Sequence, residues 1–412
     1  MNNRKVLSMV LAGGEGKRLM PLTRDRAKPA VPFGGHYRLI DFALSNLANS
    51  GFRQIVVLTQ YKSHSLNVHI SRTWRMSTLL GSYVTSVPAQ MRAGQRWFLG
   101  SADAIFQNLN LVDDERPDYL FVFGADHIYR MEPSQMLAAH LDSKAGVTVA
   151  AIRMPLDQAH QFGVIEVGKS SKIERFREKP SDPKPAPDDH SSALVSMGNY
   201  VFSRDVLEEL VRTDAEDDGS RHDIGGDLIP KLVANGVGHV YDFTENDVPG
   251  STDRDRAYWR DVGTLDAYFE AHMDLVATEP VFNLYNMEWP IHTSIPQFPP
   301  AKIVAVEHHG AGYVADSVLS AGVIISGGYV RKSVLSPGVR VGPGATVDNC
   351  ILLDGVDVKE GSVLRNVIVD KKVAIPPNSR IGVDPQRDKE RFVVSPGGVV
   401  ALAKGEIIVE PV

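Results

Sequence analysis

The stretch VLSMVLAGGEGKRL, residues 6–19, decides the fold of the first part of the chain. Its apolar half predicts a buried strand, and the glycines after it predict a loop whose backbone N–H groups can approach an anion closely. Arg18 and, further along, Lys28 place positive charge beside that loop. We therefore predict that the loop binds a polyphosphate. The alternative is a tight turn after the strand with two exposed cations.

The spacing of the loop excludes two common phosphate-binding motifs. A P-loop has serine or threonine directly after its lysine, whereas here Arg18 follows Lys17. The dinucleotide-binding fingerprint has a third glycine at the position where this chain has Leu19. The loop therefore indicates a polyphosphate ligand without indicating which one.

The composition is typical of a globular protein with more than one domain. The chain has 412 residues, of which 43% are hydrophobic and 23% are charged. The net charge of -6 gives no electrostatic basis for binding nucleic acid, and no apolar run approaches the roughly 18 residues of a membrane span. The single cysteine, Cys350, excludes an internal disulfide. We expect a cytoplasmic protein that binds neither nucleic acid nor membrane.

Strand and helix signals alternate through the first two thirds of the chain. Short β-branched or aromatic runs at 55–59, 119–123 and 147–152 predict strands, and the amphipathic segments 40–49 and 133–143 predict helices. This alternation is typical of a Rossmann-like α/β domain, with a mostly parallel sheet and helices on both faces. Ligands of such sheets bind at the carboxyl ends of the strands, so the first loop and the loops after the next two strands should share one rim.

The last third of the chain has a different periodicity. Apolar residues recur every six positions with glycine-containing turn pairs between them, namely Val323, Tyr329, Leu335, Val341, Val347, Leu353 and, after a slip, Val363, Val369, Ile375 and Ile381. This pattern predicts a left-handed parallel β-helix of hexapeptide repeats, with three short sides to each coil. The alternative is an antiparallel β-sandwich of short strands.

A proline-rich segment separates the two parts. Five prolines between residues 278 and 300 interrupt any regular element. We therefore expect a first domain at 1–277, a linker at 278–300 packed on that domain, and a second domain at 301–412.

Two aspartates stand at positions where ligand-binding residues are expected. Asp126 follows the predicted strand 119–123, and Asp261 lies in the segment 258–263. If the fold brings them to one rim, they could hold Mg²⁺, which prefers oxygen ligands and substrate phosphates. Each could equally be a helix N-cap or a turn former.

A charged pair precedes Pro180. Residues before proline favour an extended backbone, so Glu178 and Lys179 should point to opposite faces. The lysine would then meet an anion while the glutamate accepts hydrogen bonds from hydroxyl groups. The alternative is an ordinary solvated charge pair.

Together these motifs resemble ADP-glucose pyrophosphorylases, the glucose-1-phosphate adenylyltransferases of bacterial glycogen synthesis. The resemblance covers nearly the whole chain and rests on segments 11–19, 26–35, 38–46, 59–61, 100–104, 124–127, 196–198 and 258–263. The first loop is shared by nucleotidyltransferases in general, whereas residues 26–46 and the C-terminal β-helix indicate the ADP-glucose branch. The resemblance implies that the phosphate of glucose 1-phosphate attacks the α-phosphorus of ATP and releases pyrophosphate, with Mg²⁺ as cofactor.

The resemblance also implies a role for each residue that matches a family motif. The implied catalytic residues, of which the two aspartates are also the Mg²⁺ ligands, are Arg18, Lys28, Asp126 and Asp261. The implied glucose 1-phosphate pocket consists of Gly163, Glu178, Lys179, Ser196, Asp223 and Trp259. The implied nucleotide contacts come from Gly13, Gly14, Gln60, Gly100 and Asp103.

The chain departs from the family at a few positions. Many members have Tyr-Arg where this chain has Phe98-Leu99, and Asp25 replaces a usual lysine. The resemblance further implies a homotetramer regulated by anionic metabolites, which would bind Arg26, Arg38 and Lys404, but the departures leave the effector's identity open. Two alternative functions remain: a thymidylyl- or uridylyltransferase of the same fold, and a catalytically silent regulatory subunit.

Overall fold

The computed structural model describes residues 4–90, 92, 96–168 and 171–408. The strands of the first part are β1 (Val6–Ala12), β2 (Pro32–Phe33), β3 (Tyr37–Arg38), β4 (Gln54–Thr59), β5 (Tyr83–Pro88), β6 (Tyr119–Gly124), β7 (His127–Tyr129), β8 (Val147–Pro155), β9 (Gly163–Val167), β10 (Ile173–Glu178), β11 (Ser192–Ser203), β12 (Gly238–Asp242) and β13 (Trp259–Asp261). Its helices are α1 (Leu39–Asn49), α2 (His64–Thr73), α3 (Ser101–Phe106), α4 (Leu109–Glu115), α5 (Pro133–Ser143), α6 (Leu156–Ala159), α7 (Arg204–Ala215), α8 (Ile229–Ala234) and α9 (Leu265–Leu275). Within the described residues, no helix combines the length and apolar character needed to cross a membrane.

A nine-stranded sheet organises this part. Its order is β10-β9-β11-β6-β1-β4-β5, with β8 paired to β11 and β12 paired to β8. Among the described strands of this sheet, β10 and β11 run antiparallel to the others, which all run in one direction. The predicted mostly parallel sheet is therefore confirmed, and the predicted strands and helices fall within β4, β6, β8, α1 and α5.

The central strand β1 is buried on both faces. Val6 and Val10 pack into one hydrophobic core, whereas Leu7 and Met9 pack into another. Because side chains alternate along a strand, this division means that the sheet is covered on both sides. Burial of each such side chain contributes about 1.5–3 kcal/mol, which explains why an unbroken apolar run leads into the first loop.

The last part of the chain forms a parallel β-helix. Its elements are β14 (Lys302–Val304), β15 (Tyr313–Ala315), β16 (Val318–Leu319), β17 (Ile324–Ser326), β18 (Tyr329–Arg331), β19 (Val334–Leu335), β20 (Arg340–Val341), β21 (Thr346–Leu352), β22 (Asp357–Val358), β23 (Val363–Val369), β24 (Ala374–Ile375), β25 (Arg380–Ile381), α10 (Pro385–Arg391), β26 (Val393–Val394) and β27 (Val400–Leu402). The series β14-β17-β20-β22-β24 and β15-β18-β21-β23-β27 each pair in parallel, coil upon coil. This topology rules out the antiparallel sandwich.

Seven of the ten six-residue repeat positions lie in the hydrophobic core of the β-helix, whereas Leu353 lies in the core shared with the first part and two others lie outside both cores. Tyr329 is 38% exposed and Val363 is half-buried, while the next residues, Val330 and Leu364, are fully buried. Neighbouring side chains of a strand point to opposite faces. In these two strands the inward-facing residue comes one position after the repeat position, so the repeat residue itself points outward. Tyr329 instead stacks on Tyr313 of the preceding coil, with ring centroids 4.9 Å apart.

The two parts pack against each other through a mixed contact. A buried ion pair joins Arg26 to Asp370, with Arg26 Nη2 2.9 Å from each carboxylate oxygen. One hydrophobic core contains Phe33 of the first part together with Ile351 and Ile368 of the β-helix. Removing either partner of such a buried ion pair typically costs 3–5 kcal/mol, roughly, because the other charge is left unpaired.

The segment between the two parts lies along helix α1. Residues 276–301 contain no helix or strand. The Asn49 side chain donates to the Pro290 carbonyl oxygen at 3.0 Å, and the His292 N–H donates to the Ser45 hydroxyl at 2.8 Å. Hydrogen bonds rather than regular structure therefore hold this segment on the first part.

His272 on α9 is a buried, neutral histidine. Its Nδ1–H donates to the Tyr268 carbonyl oxygen at 2.9 Å, and its Nε2 accepts from the Gly34 N–H at 3.1 Å. Burial lowers the pKa of His272 to about 3. The unfolded chain, with a histidine pKa near 6.5, therefore takes up a proton first when the pH falls. The folded state must lose stability below about pH 6.5 for this reason.

We expect His272 to make the free energy of unfolding fall by about 1.4 kcal/mol per pH unit between roughly pH 6 and pH 4. His272→Gln removes the titrating group, so the stability gap between wild type and variant should narrow with that slope as the pH falls. Denaturant titrations at several pH values measure the gap. A gap that stays constant over this range would contradict a neutral His272.

Candidate active site

The loops after β1, β4 and β6 lie along one rim, as predicted. Ala12 is in register with Thr59 and Leu11 with Gly124, so the three parallel strands end at the same level. After Asp126 the chain continues into β7, which pairs with β13 so that His127 lies opposite Asp261. This antiparallel pairing brings together two aspartates that are far apart in the sequence.

Lys28 lies between the two aspartates. Its Nζ is 2.7 Å from Asp126 Oδ2 and 2.9 Å from Asp261 Oδ1, and its side chain is only 9% exposed. Burial alone would lower the pKa of Lys28, but the two carboxylates outweigh it and the pKa is raised. Burial alone would raise the pKa of Asp126, but Lys28 and His127 outweigh it and hold that pKa well below its usual value. Lys28 and Asp126 are therefore both charged at neutral pH.

Arg18 lies at the exposed side of the same cluster. A Cβ atom on Gly263 would be 3.0 Å from Arg18 Nη2 and 2.8 Å from Asp261 Oδ2, so this glycine lets the guanidinium and the carboxylate come close together. Among the described residues, no protein group forms a hydrogen bond with the Arg18 side chain. Arg18 is thus a cation that is available to a bound anion.

A cleft of about 220 Å³ opens on one side of this cluster. It is lined by all four predicted catalytic residues and by five of the six residues predicted to bind the sugar phosphate, namely Gly163, Glu178, Lys179, Ser196 and Trp259. A Cβ on Gly163 would lie 2.4 Å from the Phe176 ring, so the strand can pack closely there only as glycine. The Trp259 Nε1–H is buried without a partner among the described residues.

The predicted geometry of the Glu178–Lys179 pair is wrong. Lys179 has a φ of 46°, in the left-handed region, and its ammonium contacts the Glu178 carboxylate. The Lys179 N–H donates to the Phe162 carbonyl oxygen at 3.0 Å, which fixes this turn after β10. Tertiary hydrogen bonding has overridden the local preference of a residue before proline. Both side chains consequently face the same cleft.

Asp223 is the residue of the predicted sugar-phosphate set that does not line the cleft. Its Oδ1 accepts from the Ser101 hydroxyl and its Oδ2 from the Gly226 N–H, each at 2.8 Å. It thereby caps the helical turn Ile224–Leu228 and ties it to α3. A direct contact between Asp223 and a sugar stays a prediction.

A second cleft, of about 320 Å³, lies on the other side of the first loop. It contains four of the five predicted nucleotide contacts together with an apolar floor, namely Gly13, Gly14, Gln60, Gly100, Leu11, Leu58 and Ala104. A Cβ on Gly14 would have no atom within 4 Å, so the loop faces open space at this point. The cleft therefore offers a bare backbone loop beside an apolar surface, which suits a phosphate chain and a flat base.

Gln60 and Gly100 shape the wall of this second cleft. Gln60 Oε1 accepts from the Phe98 N–H at 2.9 Å, and its Nε2 donates to the Phe98 carbonyl oxygen at 3.3 Å. A Cβ on Gly100 would lie 2.2 Å from the His222 carbonyl oxygen, so only glycine fits. The Gln60 side chain thus holds the backbone at 98–100 in place. Because Gly100 has no side chain, this backbone can pack against His222.

Asp103, the fifth predicted nucleotide contact, faces away from the second cleft. Its buried carboxylate accepts from the Leu99 N–H and the Gln107 amide, each at 2.9 Å, and from the Arg96 guanidinium at 3.0 and 3.1 Å. These bonds hold the segment before α3 from behind. A direct role of Asp103 in binding nucleotide stays a prediction.

Six residues of the first cleft are not among the predicted site residues, namely His127, Gln161, Phe162, Met197, Gly198 and Tyr200. Position next to a motif could have found most of them, since His127 follows Asp126 and Phe162 precedes Gly163. Tyr200 had no such signal. It reaches the cleft because β11 is irregular between Ser196 and Tyr200, around a glycine with a φ of 73°.

The three predicted effector residues lie around Lys371, since Arg38 and Arg26 act on its charge and the Gly405 N–H, next to Lys404, donates to its carbonyl oxygen, but they do not line one cleft. The Arg26 guanidinium is buried against Asp370, and Lys404 is exposed, with its carbonyl oxygen accepting from Arg24. Arg38 alone lines a cleft of about 280 Å³ at the junction of the two parts, where the other cations are Arg72 and Lys371. Burial lowers the pKa of Lys371, with Asp354 opposing that effect and Arg38 and Arg26 adding to it. Lys371 is not among the predicted effector residues. It directly follows Asp370, which forms the buried ion pair with Arg26.

The glycine loop, the carboxylate pair and the two flanking clefts define a nucleotidyltransferase. The family model described as "Nucleotidyl transferase" matches residues 7–278, and the model "GlmU-like, C-terminal hexapeptide" matches residues 299–402. Among similar proteins, a glucose-1-phosphate adenylyltransferase of Acidothermus cellulolyticus is 60% identical over 99% of both chains. Proteins of the same name from Frankia casuarinae and Corynebacterium jeikeium are 59% identical over 100% and 57% identical over 98% of both chains, respectively. The chain belongs to the glucose-1-phosphate adenylyltransferase family.

Proposed function

We propose that this chain transfers the adenylyl group of ATP to α-D-glucose 1-phosphate, giving ADP-glucose and pyrophosphate. The observation that carries the proposal is a pair of clefts beside the first loop. One is lined by Arg18, Lys28, Asp126 and Asp261, and the other by Gly13 and Gly14. Full-length similarity to proteins named for this reaction supports the choice of substrates.

The reaction needs no nucleophile from the protein. An oxygen of the sugar phosphate attacks the α-phosphorus of ATP, a new P–O bond forms, and the bond to pyrophosphate breaks. Catalysis then depends on positioning the two anions and on stabilising charge. In our assignment Gly13 and Gly14 receive the phosphate chain, and Arg18 and Lys28 offset its charge.

The first cleft takes the sugar phosphate in this assignment. The Lys179 ammonium binds the phosphate, and the Glu178 carboxylate, which faces the same cleft, accepts hydrogen bonds from sugar hydroxyl groups. Asp223 supports the site from behind through Ser101.

The residues present fit a divalent cation. Asp126 and Asp261 already point an oxygen each at one cation, the Lys28 ammonium. Among the described residues no group of three or more His, Cys, Asp and Glu side chains is placed to hold a metal, which suits Mg²⁺, since this ion is usually bound by one or two carboxylates plus substrate phosphates. We assign the two aspartates as its ligands. The ion would neutralise charge that develops on the phosphates.

Competition between nucleotides tests the proposed reaction. With glucose 1-phosphate and a mixture of ATP, UTP and dTTP, we expect ADP-glucose as the main product, measured by chromatography of the nucleotide sugars. A pyrimidine sugar nucleotide as the main product would identify a uridylyl- or thymidylyltransferase instead. Absence of pyrophosphate release with every pair would identify a catalytically silent subunit.

We also propose a regulated role in glycogen or α-glucan synthesis, with the domain division 1–277, 278–300 and 301–412 and a homotetrameric assembly. The junction cleft supports regulation by an anionic metabolite because Arg38, Arg72 and Lys371 line it. Contacts between the catalytic domain and the β-helix border the same cleft, so an anion bound there would touch both domains. Lys371 joins the three predicted residues, Arg26, Arg38 and Lys404, in this proposal.

A further inference from the structure

The position of Lys28 bears on how a metal ion reaches the site. We propose that Lys28 keeps the carboxylate pair Asp126–Asp261 closed to divalent cations until a nucleotide draws its ammonium away, so that the metal enters only together with ATP. This inference rests on the metal-binding role that the proposed function gives to the two aspartates.

The ammonium lies where a shared metal ion would have to lie. Lys28 Nζ is 2.7 Å from Asp126 Oδ2 and 2.9 Å from Asp261 Oδ1, within hydrogen-bond distance of both carboxylates. A Mg²⁺ ion needs its oxygen ligands at about 2.0–2.1 Å, and two cations cannot share one pair of oxygens without strong repulsion. The ammonium therefore competes with a metal ion for these two oxygens, Asp126 Oδ2 and Asp261 Oδ1.

Lys28 has a second anion-binding position within reach. Its Cβ lies against the first loop, since a Cβ on Gly16 would be only 3.0 Å from it. The flexible four-carbon stem of a lysine lets its ammonium turn from the carboxylates towards a phosphate bound at this loop. Bound polyphosphate, with several negative charges, competes well for this ammonium.

The nucleotide also supplies oxygen ligands that the protein does not provide to the metal. Asp126 and Asp261 are the two protein ligands in our assignment, and no larger group of metal-ligating side chains occurs among the described residues. The remaining positions around Mg²⁺ must be filled by phosphate oxygens and water. One event, ATP binding, thus removes the competing lysine and completes the metal's coordination.

Metal binding without turnover tests this proposal. The probe is Mn²⁺, whose free concentration is measured by electron paramagnetic resonance, with and without a non-hydrolysable ATP analogue. We expect wild-type protein to bind Mn²⁺ about tenfold or more weakly without the analogue than with it. We expect Lys28→Met to bind Mn²⁺ without the analogue about tenfold or more tightly than wild type, since a close charge is removed.

Matched variants locate the effect. Lys17→Met removes a lysine that is 77% exposed and paired with Glu15 in the same loop, so it should leave Mn²⁺ binding unchanged. Lys28→Met combined with Asp261→Asn should lose the gain of the single variant. Lys28→Gln serves as a second variant because its amide can still donate to the carboxylates, and thermal unfolding checks that each variant is folded.

Two results would overturn the proposal. One is equal Mn²⁺ affinity of the wild-type protein with and without the ATP analogue, a comparison that needs no substitution. The other is equal affinity of wild type and a folded Lys28 variant without nucleotide. Neither measurement involves turnover, so a chain that bound Mn²⁺ as expected but made no ADP-glucose would contradict the proposed function and leave this inference standing.

Discussion

Asp126→Asn should lower kcat by roughly 100- to 1,000-fold while leaving the fold intact. Asparagine keeps the shape of the side chain and one oxygen, but it removes the charge that faces Lys28 and the proposed metal ion. The remaining carboxylate, Asp261, still pairs with Lys28 at 2.9 Å, so the ammonium is not left buried without a partner. Initial-rate assays with saturating ATP and glucose 1-phosphate measure the loss.

A matched variant and a double variant sharpen this test. Asp142→Asn makes the same chemical change at an exposed position of α5, and it should leave kcat unchanged. Asp126→Asn combined with Asp261→Asn should cost little more than either single change, because residues that act as a unit give non-additive losses. Fully multiplicative losses would show that the two aspartates act independently, and near-normal kcat in Asp126→Asn would remove Asp126 from the mechanism.

The parts of the fold that could be predicted are those set by local periodicity. In the run at 6–11 and in the segment 133–143, the spacing of apolar residues alone predicts the element, and the structure has β1 and α5 there. In the β-helix the six-residue period identified the coils, but it placed Tyr329 on the wrong face. Neighbouring residues of a strand point to opposite faces, so the six-residue spacing alone does not tell whether Tyr329 or the adjacent Val330 faces inward.

The parts of the site that could not be predicted depend on tertiary pairing. The left-handed backbone of Lys179 is fixed by its hydrogen bond to Phe162, which no neighbouring residue in the sequence signals. Asp103 lies in a recognisable motif and the family resemblance implies a role for Asp223, yet both carboxylates accept hydrogen bonds from protein donors. A motif indicates that a residue is needed at the site. It does not indicate whether that residue contacts the ligand or positions another residue that does.

Lys179→Gln should raise the KM for glucose 1-phosphate by about 10- to 100-fold, with kcat and the KM for ATP little changed. A hydrogen bond to a charged group is worth about 1.5–3 kcal/mol, and its loss in both ground state and transition state removes uniform binding. The Lys179 side chain is 62% exposed, so its replacement should not affect the free energy of unfolding appreciably. Glutamine can also adopt the backbone conformation about as readily as lysine.

Lys184→Gln is the control for this change. Lys184 lies on the neighbouring loop, is 55% exposed and is 3.7 Å from Glu166, outside the residues that line the first cleft. Its loss should leave both KM values unchanged. If Lys179→Gln raised the KM for ATP instead, the two clefts would have to exchange ligands, because Lys179 lines the first cleft and Gly14 the second. A rise confined to glucose 1-phosphate thus tests the orientation of both substrates across the charged cluster between them.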